Sequence, residues 1–343
     1  MSKNYYIIPI FVPHEGCPHN CVFCNQNRIT GKSDEVTAET VYSIADEYLK
    51  TINKKNATIE ISFFGGTFTA IKEEKQRELL KVAKEYKEKG LIDKIRMSTR
   101  PDYINDYILS YLKEYLVDII ELGVQSLDNE VLKASGRGHS SSQVLEASKL
   151  IKSYGITLGH QIMPGLPKDT FEKDIETVKK SIEMKPDIVR LYPSLVIKDT
   201  PMEDMYMAGT YKPYTLMEAV EICEKLDRLY EAHNIKVIRM GLQPTDNIAE
   251  GKDVVAGPFH PAFRELVDGY KISKDLKEKL KENKEGTIII NNRDISKLYA
   301  NKKMFFNKLL NEGYKINVLM CDKVKRGEFI IKSGEINEKE NKR

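Results

Sequence analysis

GCPHNCVFCNQ, residues 16–26, sets three thiols, Cys17, Cys21 and Cys24, in a CxxxCxxC spacing directly after the apolar, strand-like run Tyr5–Val12. At the end of a barrel strand a short loop can turn three sulfurs toward one point, at the face where active sites of that architecture collect. Three thiolates can hold a four-iron iron–sulfur cluster while leaving one iron open to a further ligand. The same three with His14 or His19 would complete a tetrahedral zinc site. Spacing alone leaves both metals open.

Working outward from this loop, short runs of β-branched and apolar residues recur at Tyr5–Val12, Thr58–Phe64, Lys94–Ser98, Val117–Gly123, Ile156–Met163, Asp187–Tyr192 and Ile235–Met240. Amphipathic stretches lie between them, among them Lys72–Lys89, Gln143–Tyr154, Phe171–Met184 and Leu216–His233. Alternating strands and helices predict a parallel sheet joined by crossover helices. The expected fold is therefore α/β, a partial (β/α) TIM-type barrel over residues 1–245. After Gly241 the segment QPTDNIAEGKDVVAGPFHPAF reads as a loop. A charged helix over Lys274–Lys284, an apolar run at Thr287–Ile290, a further helix and strands at Ile316–Met320 and Glu328–Ile331 then form a small C-terminal α/β appendage, residues 246–343. Its charged tail is expected to fray from about Ser333.

At 343 residues, 41% hydrophobic and 31% charged, the chain has the composition of a globular protein with room for a barrel and a second, smaller domain. No apolar run approaches the roughly 18 residues of a membrane span. The first residues, MSKNYYIIPIFVPHEG, lack a basic flank followed by a cleavable apolar stretch. A cytoplasmic protein without membrane segments is expected. Five cysteines make an odd number, three of them crowded into one loop, which suits a metal site better than a disulfide framework. Cys223 and Cys321 stand alone and read as small buried hydrophobes. Through Tyr270 the chain carries 35 Lys and Arg against 40 Asp and Glu; beyond it, 19 against 11. Basic charge at the C-terminal end suits either a polyanionic partner such as RNA or a solvated lysine-rich surface.

Further strand ends carry polar groups. The second strand runs into Phe64-Gly65-Gly66-Thr67, where glycines permit close backbone approach. The fourth ends in Glu121-Leu122-Gly123-Val124-Gln125-Ser126, and Arg137 follows between two glycines in SGRGH. A guanidinium so placed can reach a carboxylate, or simply face solvent. Gln161 stands just before Met163-Pro164-Gly165-Leu166-Pro167, either aimed at the barrel mouth or buried and bonded to backbone. Tyr192 and His160, also at strand ends, are open to substrate contact or to burial with satisfied hydrogen bonds.

CxxxCxxC, Gly-Gly-Thr, GVQS, the Arg-Gly-His loop and MPGLP, in this order, resemble the radical S-adenosylmethionine superfamily. STRPDYI, ELGVQS, GRGH and LYPSLVIKDTPM bring the chain closest to the radical domain of the Elongator catalytic subunit, over about residues 5–245. Oxygen-independent coproporphyrinogen oxidase is a more distant likeness. The resemblance implies a 4Fe-4S cluster on Cys17, Cys21 and Cys24, with Phe23 in the cluster loop, and removes the zinc reading. It implies S-adenosylmethionine as second cofactor: Gly65, Gly66 and Thr67 toward the methionine amino group, Gln125 and Arg137 toward its carboxylate, Gln161 toward the ribose. Arg100 matches a further position beside the cofactor, where the coproporphyrinogen oxidases carry an acid.

The implied chemistry is reductive cleavage of S-adenosylmethionine to a 5′-deoxyadenosyl radical that abstracts hydrogen, with a reductase, flavodoxin or ferredoxin as electron donor. After the radical domain only a short α/β stretch follows in place of an acetyltransferase-like domain, so another acceptor or alkyl donor is expected. No second cysteine cluster exists for sulfur insertion. One reading is tRNA modification; a second is a small molecule or peptide substrate, with tetrapyrrole decarboxylation as an example. A third is a non-catalytic iron–sulfur protein. The oligomeric state is not legible.

Overall fold

The computed structural model describes residues 4–12, 17, 19–25, 35–55, 57–244, 248–249 and 251–334. His14 and the charged tail beyond Gly334 lie outside them. The chain divides into two compact units, Met1–Ile222 with Leu226–Pro261, and Cys223–Lys225 with Ala262–Arg343.

In the first unit the elements alternate: β1 Asn4–Val12, α1 Ala38–Thr51, β2 Ala57–Gly65, α2 Glu73–Glu88, β3 Lys94–Thr99, α3 Asp106–Glu114, β4 Ile119–Gln125, α4 Asn129–Ala134, α5 Ser141–Ser153, β5 Thr157–Ile162, α6 Phe171–Glu183, β6 Ile188–Leu191, β7 Val196–Ile197, α7 Pro201–Met207, α8 Leu216–Ala232, β8 Lys236–Met240 and β9 Val254–Ala256. Seven strands form one parallel sheet in the order β1-β2-β3-β4-β5-β6-β8, the partial barrel expected from the alternation. Helix starts are written locally. Thr37 with Thr40, Ser140 with Gln143 and Thr215 with Glu218 form capping boxes at α1, α5 and α8.

The two faces of the sheet differ in chemistry. Ile8, Ile10, Ile59, Ile61, Phe63, Ile95, Met97, Ile120, Leu122, Leu158, Ile162, Val189 and Leu191 alternate along the strands and are buried. His160 shares that face and bonds Ser148 of α5 and Ser181 of α6, so this is the side the helices cover. The inner face carries the intervening residues: Glu60, Ser62, Arg96, Glu121, Gln161 and Arg190, joined strand to strand in register.

One element departs from the expected loop after Gly241. Val254–Ala256 pairs antiparallel with Val196–Ile197 as a two-stranded sheet, so the first unit runs past residue 245. Two- and three-residue strands are too short to leave a period in sequence.

The second unit contains α9 Phe263–Lys279, β10 Glu285–Ile290, α10 Ile295–Leu298, α11 Ala300–Asn311, β11 Lys315–Met320 and β12 Phe329–Ser333. The helix expected over Lys274–Lys284 begins eleven residues earlier in the chain order of the structure, at Phe263, because Phe263, Leu266, Val267, Ile272 and Leu276 supply a buried stripe at helical spacing. β10 lies between β11, parallel to it, and β12, antiparallel. Ile272, Leu276, Leu280, Ile288, Ile290, Leu298, Phe306 and Leu309 make its core.

Candidate functional site

Gly65, the last residue of β2, is required by close approach. Gly65 has φ +109°, and a Cβ there would sit 2.7 Å from the Val12 carbonyl oxygen. Gly66 N–H donates to that same oxygen at 2.9 Å, so the end of β2 folds against the end of β1, where the cysteine loop begins. Thr67, buried, then brings its Oγ1 to 3.1 Å from Cys17 Sγ.

Gln125 and Gln161 meet at the ends of β4 and β5. Gln161 Nε2 donates to Gln125 Oε1 at 3.2 Å. Gln125 has φ +66°, a left-handed conformation that costs a non-glycine residue on the order of 1 kcal/mol. The register of β4 with β5 shifts between Gly123 and Gln125, re-aiming the glutamine. Gly123 leaves room beside it: a Cβ there would stand 2.5 Å from Arg137 Nη2 and 3.1 Å from Gln125 Nε2.

Arg137 is buried. Nη2 donates to the Gly123 carbonyl at 2.7 Å, Nη1 lies 3.5 Å from Cys21 Sγ, and Nε has no hydrogen-bond partner. Its loop is fixed on the cysteine loop by Val22 N–H donating to the Ser135 carbonyl at 3.0 Å. Arg100 does not open toward the cysteine loop; it forms a bidentate pair with Asp102 at 2.9 Å and donates to the Arg137 carbonyl at 2.6 Å. His139 is buried beside both arginines, and burial followed by their charge pushes its pKa down to about 3, so its ring is neutral.

Cys21 and Phe23 are buried among Val131, Leu166, Val196, Met202 and Tyr211, with Cys24 packed at the margin. Cys24 N–H donates to the Cys21 carbonyl at 3.0 Å in a tight turn, and Met202 N–H donates to the Val22 carbonyl at 2.9 Å. Thus Cys17 meets the Gly-Gly-Thr turn and Cys21 meets Arg137. Among the described residues no three Cys, His, Asp or Glu side chains converge as a metal-ligand set.

His160 faces the helices, not the inner face. Ser148 Oγ and Ser181 Oγ lie 3.0 and 2.8 Å from its ring nitrogens, and burial pushes its pKa down to about 3. Tyr192 is half-buried and accepts from Arg190 Nη1 at 3.2 Å.

Sequence reading missed the ladder of charge on the inner face. Tyr5 donates to Glu60, whose carboxylate lies 2.9 Å from Arg96 Nε; Arg96 Nη1 reaches Glu121 at 3.2 Å, and Glu121 lies 2.8 Å from Arg190 Nε. Arg190 also stands over the Phe64 ring at 5.1 Å. Each of these residues alternates with apolar neighbours and so reads as solvent-facing.

The Radical SAM superfamily model matches residues 11–180, and the Radical_SAM C-terminal domain model residues 186–271. The tRNA uridine(34) acetyltransferase of Methanocaldococcus infernus is 28% identical over 63% of this chain and 48% of its own length. An uncharacterized protein of Methanocaldococcus jannaschii is 30% identical over 62% of this chain and 69% of its own. Among solved structures, the archaeal Methanocaldococcus infernus Elp3 with an N-terminal deletion covers 80% of this chain and 64% of that chain at TM-score 0.64 and 24% identity, a likeness of fold. The chain belongs to the radical S-adenosylmethionine superfamily, a class of enzymes. Within it the chain is related to the radical domain of the Elongator and tRNA uridine acetyltransferase proteins, and spans about half the length (48%) of the first of these relatives.

Membership implies a 4Fe-4S cluster and S-adenosylmethionine. The residues fit both in kind: three cysteines in one loop outside any disulfide, glycine backbone beside them, and a buried guanidinium with one nitrogen in reserve for a carboxylate. No helix among the described residues is long and apolar enough to cross a membrane.

Proposed function

We propose that this chain is a cytoplasmic radical enzyme of tRNA modification, with Cys17, Cys21 and Cys24 holding the 4Fe-4S cluster and the strand-end residues holding S-adenosylmethionine. The observation that carries it is the meeting of five separate sequence segments at one end of the sheet: Thr67 on Cys17, Arg137 on Cys21, and Gln125 on Gln161. Bound together, these cofactors supply one-electron cleavage of the sulfonium to a 5′-deoxyadenosyl radical, with the electron coming from a reductase, flavodoxin or ferredoxin.

The protein's own part is to bind, orient and shield. The Gly65-Gly66 turn, folded onto the Val12 carbonyl, admits the methionine amino group against backbone. Arg137, already committed through Nη2, offers Nε to the carboxylate in a site of low dielectric, where a charge-assisted bond is strong. Gln125 turns its amide toward the same carboxylate, and Gln161, bonded to it, presents its own amide to the ribose. Phe23 and its apolar neighbours exclude water from one side of the loop.

The tRNA part rests on the names of the relatives. Acetyl transfer is no part of the proposal, because the similarity covers 63% of this chain and 48% of the acetyltransferase. Anaerobically reconstituted protein given a strong reductant is expected to release 5′-deoxyadenosine from S-adenosylmethionine, and bulk tRNA from a deletion strain to lack a nucleoside present in its parent. No 5′-deoxyadenosine would overturn the radical reading; an unchanged nucleoside profile would overturn the tRNA reading alone.

A further inference from the structure

Arg190 and Arg239 are register partners on β6 and β8, directly after a register shift between Val189 and Arg190, so the two lie side by side on neighbouring strands. Gln161 is the partner of Arg190 on the other side, which puts the two guanidiniums next to the strand ends described above. Like charges at adjacent positions repel, and one of the pair is compensated. Arg190 has Glu121 at 2.8 Å, but Glu121 is shared with Arg96, and Arg96 with Glu60. Arg239, half-buried, donates to the Gln243 amide oxygen and pairs with no carboxylate among the described residues. The interior of the sheet therefore sets three guanidiniums, Arg96, Arg190 and Arg239, against two carboxylates, Glu60 and Glu121.

Aromatic rings flank this excess charge. Phe64 lies under the Arg190 guanidinium at 5.1 Å, Phe11 is 6.2 Å from Phe64 centre to centre, and Tyr192 bonds Arg190. Phe11, Phe64 and Tyr192 are all half-buried, each with a part of the side chain still open. Flat rings stack an unpaired base, and a planar guanidinium fork matches a phosphate.

We infer that Arg239 and Arg190 hold a phosphate of the nucleotide on which the enzyme acts, with the Phe11–Phe64–Tyr192 surface as the platform for its base. This rests on the tRNA reading above and adds to it a phosphate subsite on β6 and β8 and a requirement that the target nucleotide be unstacked from its helix. The base would then stand beside Gln161, within the same mouth as the proposed S-adenosylmethionine contacts.

The test measures binding of unfractionated tRNA to the reconstituted holoenzyme across a salt series, with 5′-deoxyadenosine release measured separately on the wild-type protein. Arg239→Gln is expected to weaken binding about tenfold and to flatten the slope of log K against log salt by about one unit. Arg239→Lys should keep the slope while losing part of the affinity, since charge is retained and the fork is not. Lys179→Gln, on the exposed face of α6, removes the same charge elsewhere and should change neither. Arg190 is tied into the buried ion ladder, so Arg239, half-buried, is the variant that folds. Equal affinity and slope for wild type and Arg239→Gln would overturn the phosphate subsite and leave the tRNA reading standing. No tRNA binding by wild-type protein that still cleaves S-adenosylmethionine would overturn both.

Discussion

The two faces of the seven-stranded sheet are chemically opposite. On the helix-covered face, isoleucine, leucine and phenylalanine dominate, and His160 is held between two serines. On the inner face, Glu60, Arg96, Glu121 and Arg190 are 0, 3, 4 and 9% exposed, and each charge answers the next. The first face holds helices to the sheet, a task that non-directional apolar burial performs well. The second holds strands at set distances around a site, and an ion ladder is directional enough to do that. Its cost is that every member depends on its neighbours, because a buried charge without a partner is far worse than no charge at all.

The largest effect is expected from breaking that ladder. Arg96→Met would leave Glu60 wholly buried with only Tyr5 and Ser62 as donors, and would take one of two guanidiniums from Glu121. A loss of about 3–5 kcal/mol in urea unfolding is expected. Adding Glu60→Gln to the same chain should recover part of it. A loss under about 1 kcal/mol would mean that the inner face tolerates unpaired charge, and the contrast between the faces would fail.

The helix-covered face has its own weak point in His160, and pH tests it. The folded protein holds this ring neutral, with its pKa pushed down to about 3 by burial, whereas an unfolded histidine titrates near its ordinary value. The unfolded chain therefore takes up a proton first as pH falls. The stabilisation from keeping the ring neutral is complete above the unfolded value and is lost progressively down to the folded one. Between pH 7 and pH 5 about 2 kcal/mol should disappear for this histidine, and His160→Gln should remove that share of the pH dependence in a series of thermal or urea melts. An unaltered pH profile in His160→Gln would show that the ring is protonated or solvated in the folded protein.

The same contrast explains what could be read from sequence. The apolar face announced itself: Thr58–Phe64 was expected as a strand and Ala57–Gly65 is found, and Lys94–Ser98 became Lys94–Thr99, because buried parallel strands are runs of branched apolar residues. The helix starts at Ser140 and Thr215 carry capping boxes, legible in their side chains. The ladder was not legible, since Glu60, Arg96, Glu121 and Arg190 each stand between apolar neighbours, a pattern identical to that of a sheet with one wet face. Only the curl of the sheet tells the two apart. At the candidate site, Gly65 and Gln125 could be picked out as a glycine turn and a polar residue after glycine, but nothing local told that Arg100 would grip Asp102 and the Arg137 carbonyl. That pairing needs two loops brought together by strands far apart in sequence.

The smallest effect sharpens where the inner face ends and the site begins. Gln125 is the one proposed cofactor contact outside glycine with a left-handed backbone, at φ +66°, while its side chain accepts a single neutral hydrogen bond from Gln161. Glycine adopts that conformation freely, so Gln125→Gly relieves strain on the order of 1 kcal/mol and forfeits an amide bond of similar size. Net stability should therefore stay within about 1 kcal/mol of wild type, unlike any change in the ladder. Affinity for S-adenosylmethionine, measured by equilibrium dialysis on the reconstituted protein, should fall about tenfold, the worth of one hydrogen bond to a charged carboxylate. Strain that is retained without stabilising the fold has to be held for binding. If Gln125→Gly kept its affinity and lost several kcal/mol of stability, Gln125 would belong to the ladder as a structural member, and the site would begin one strand later, at Gln161.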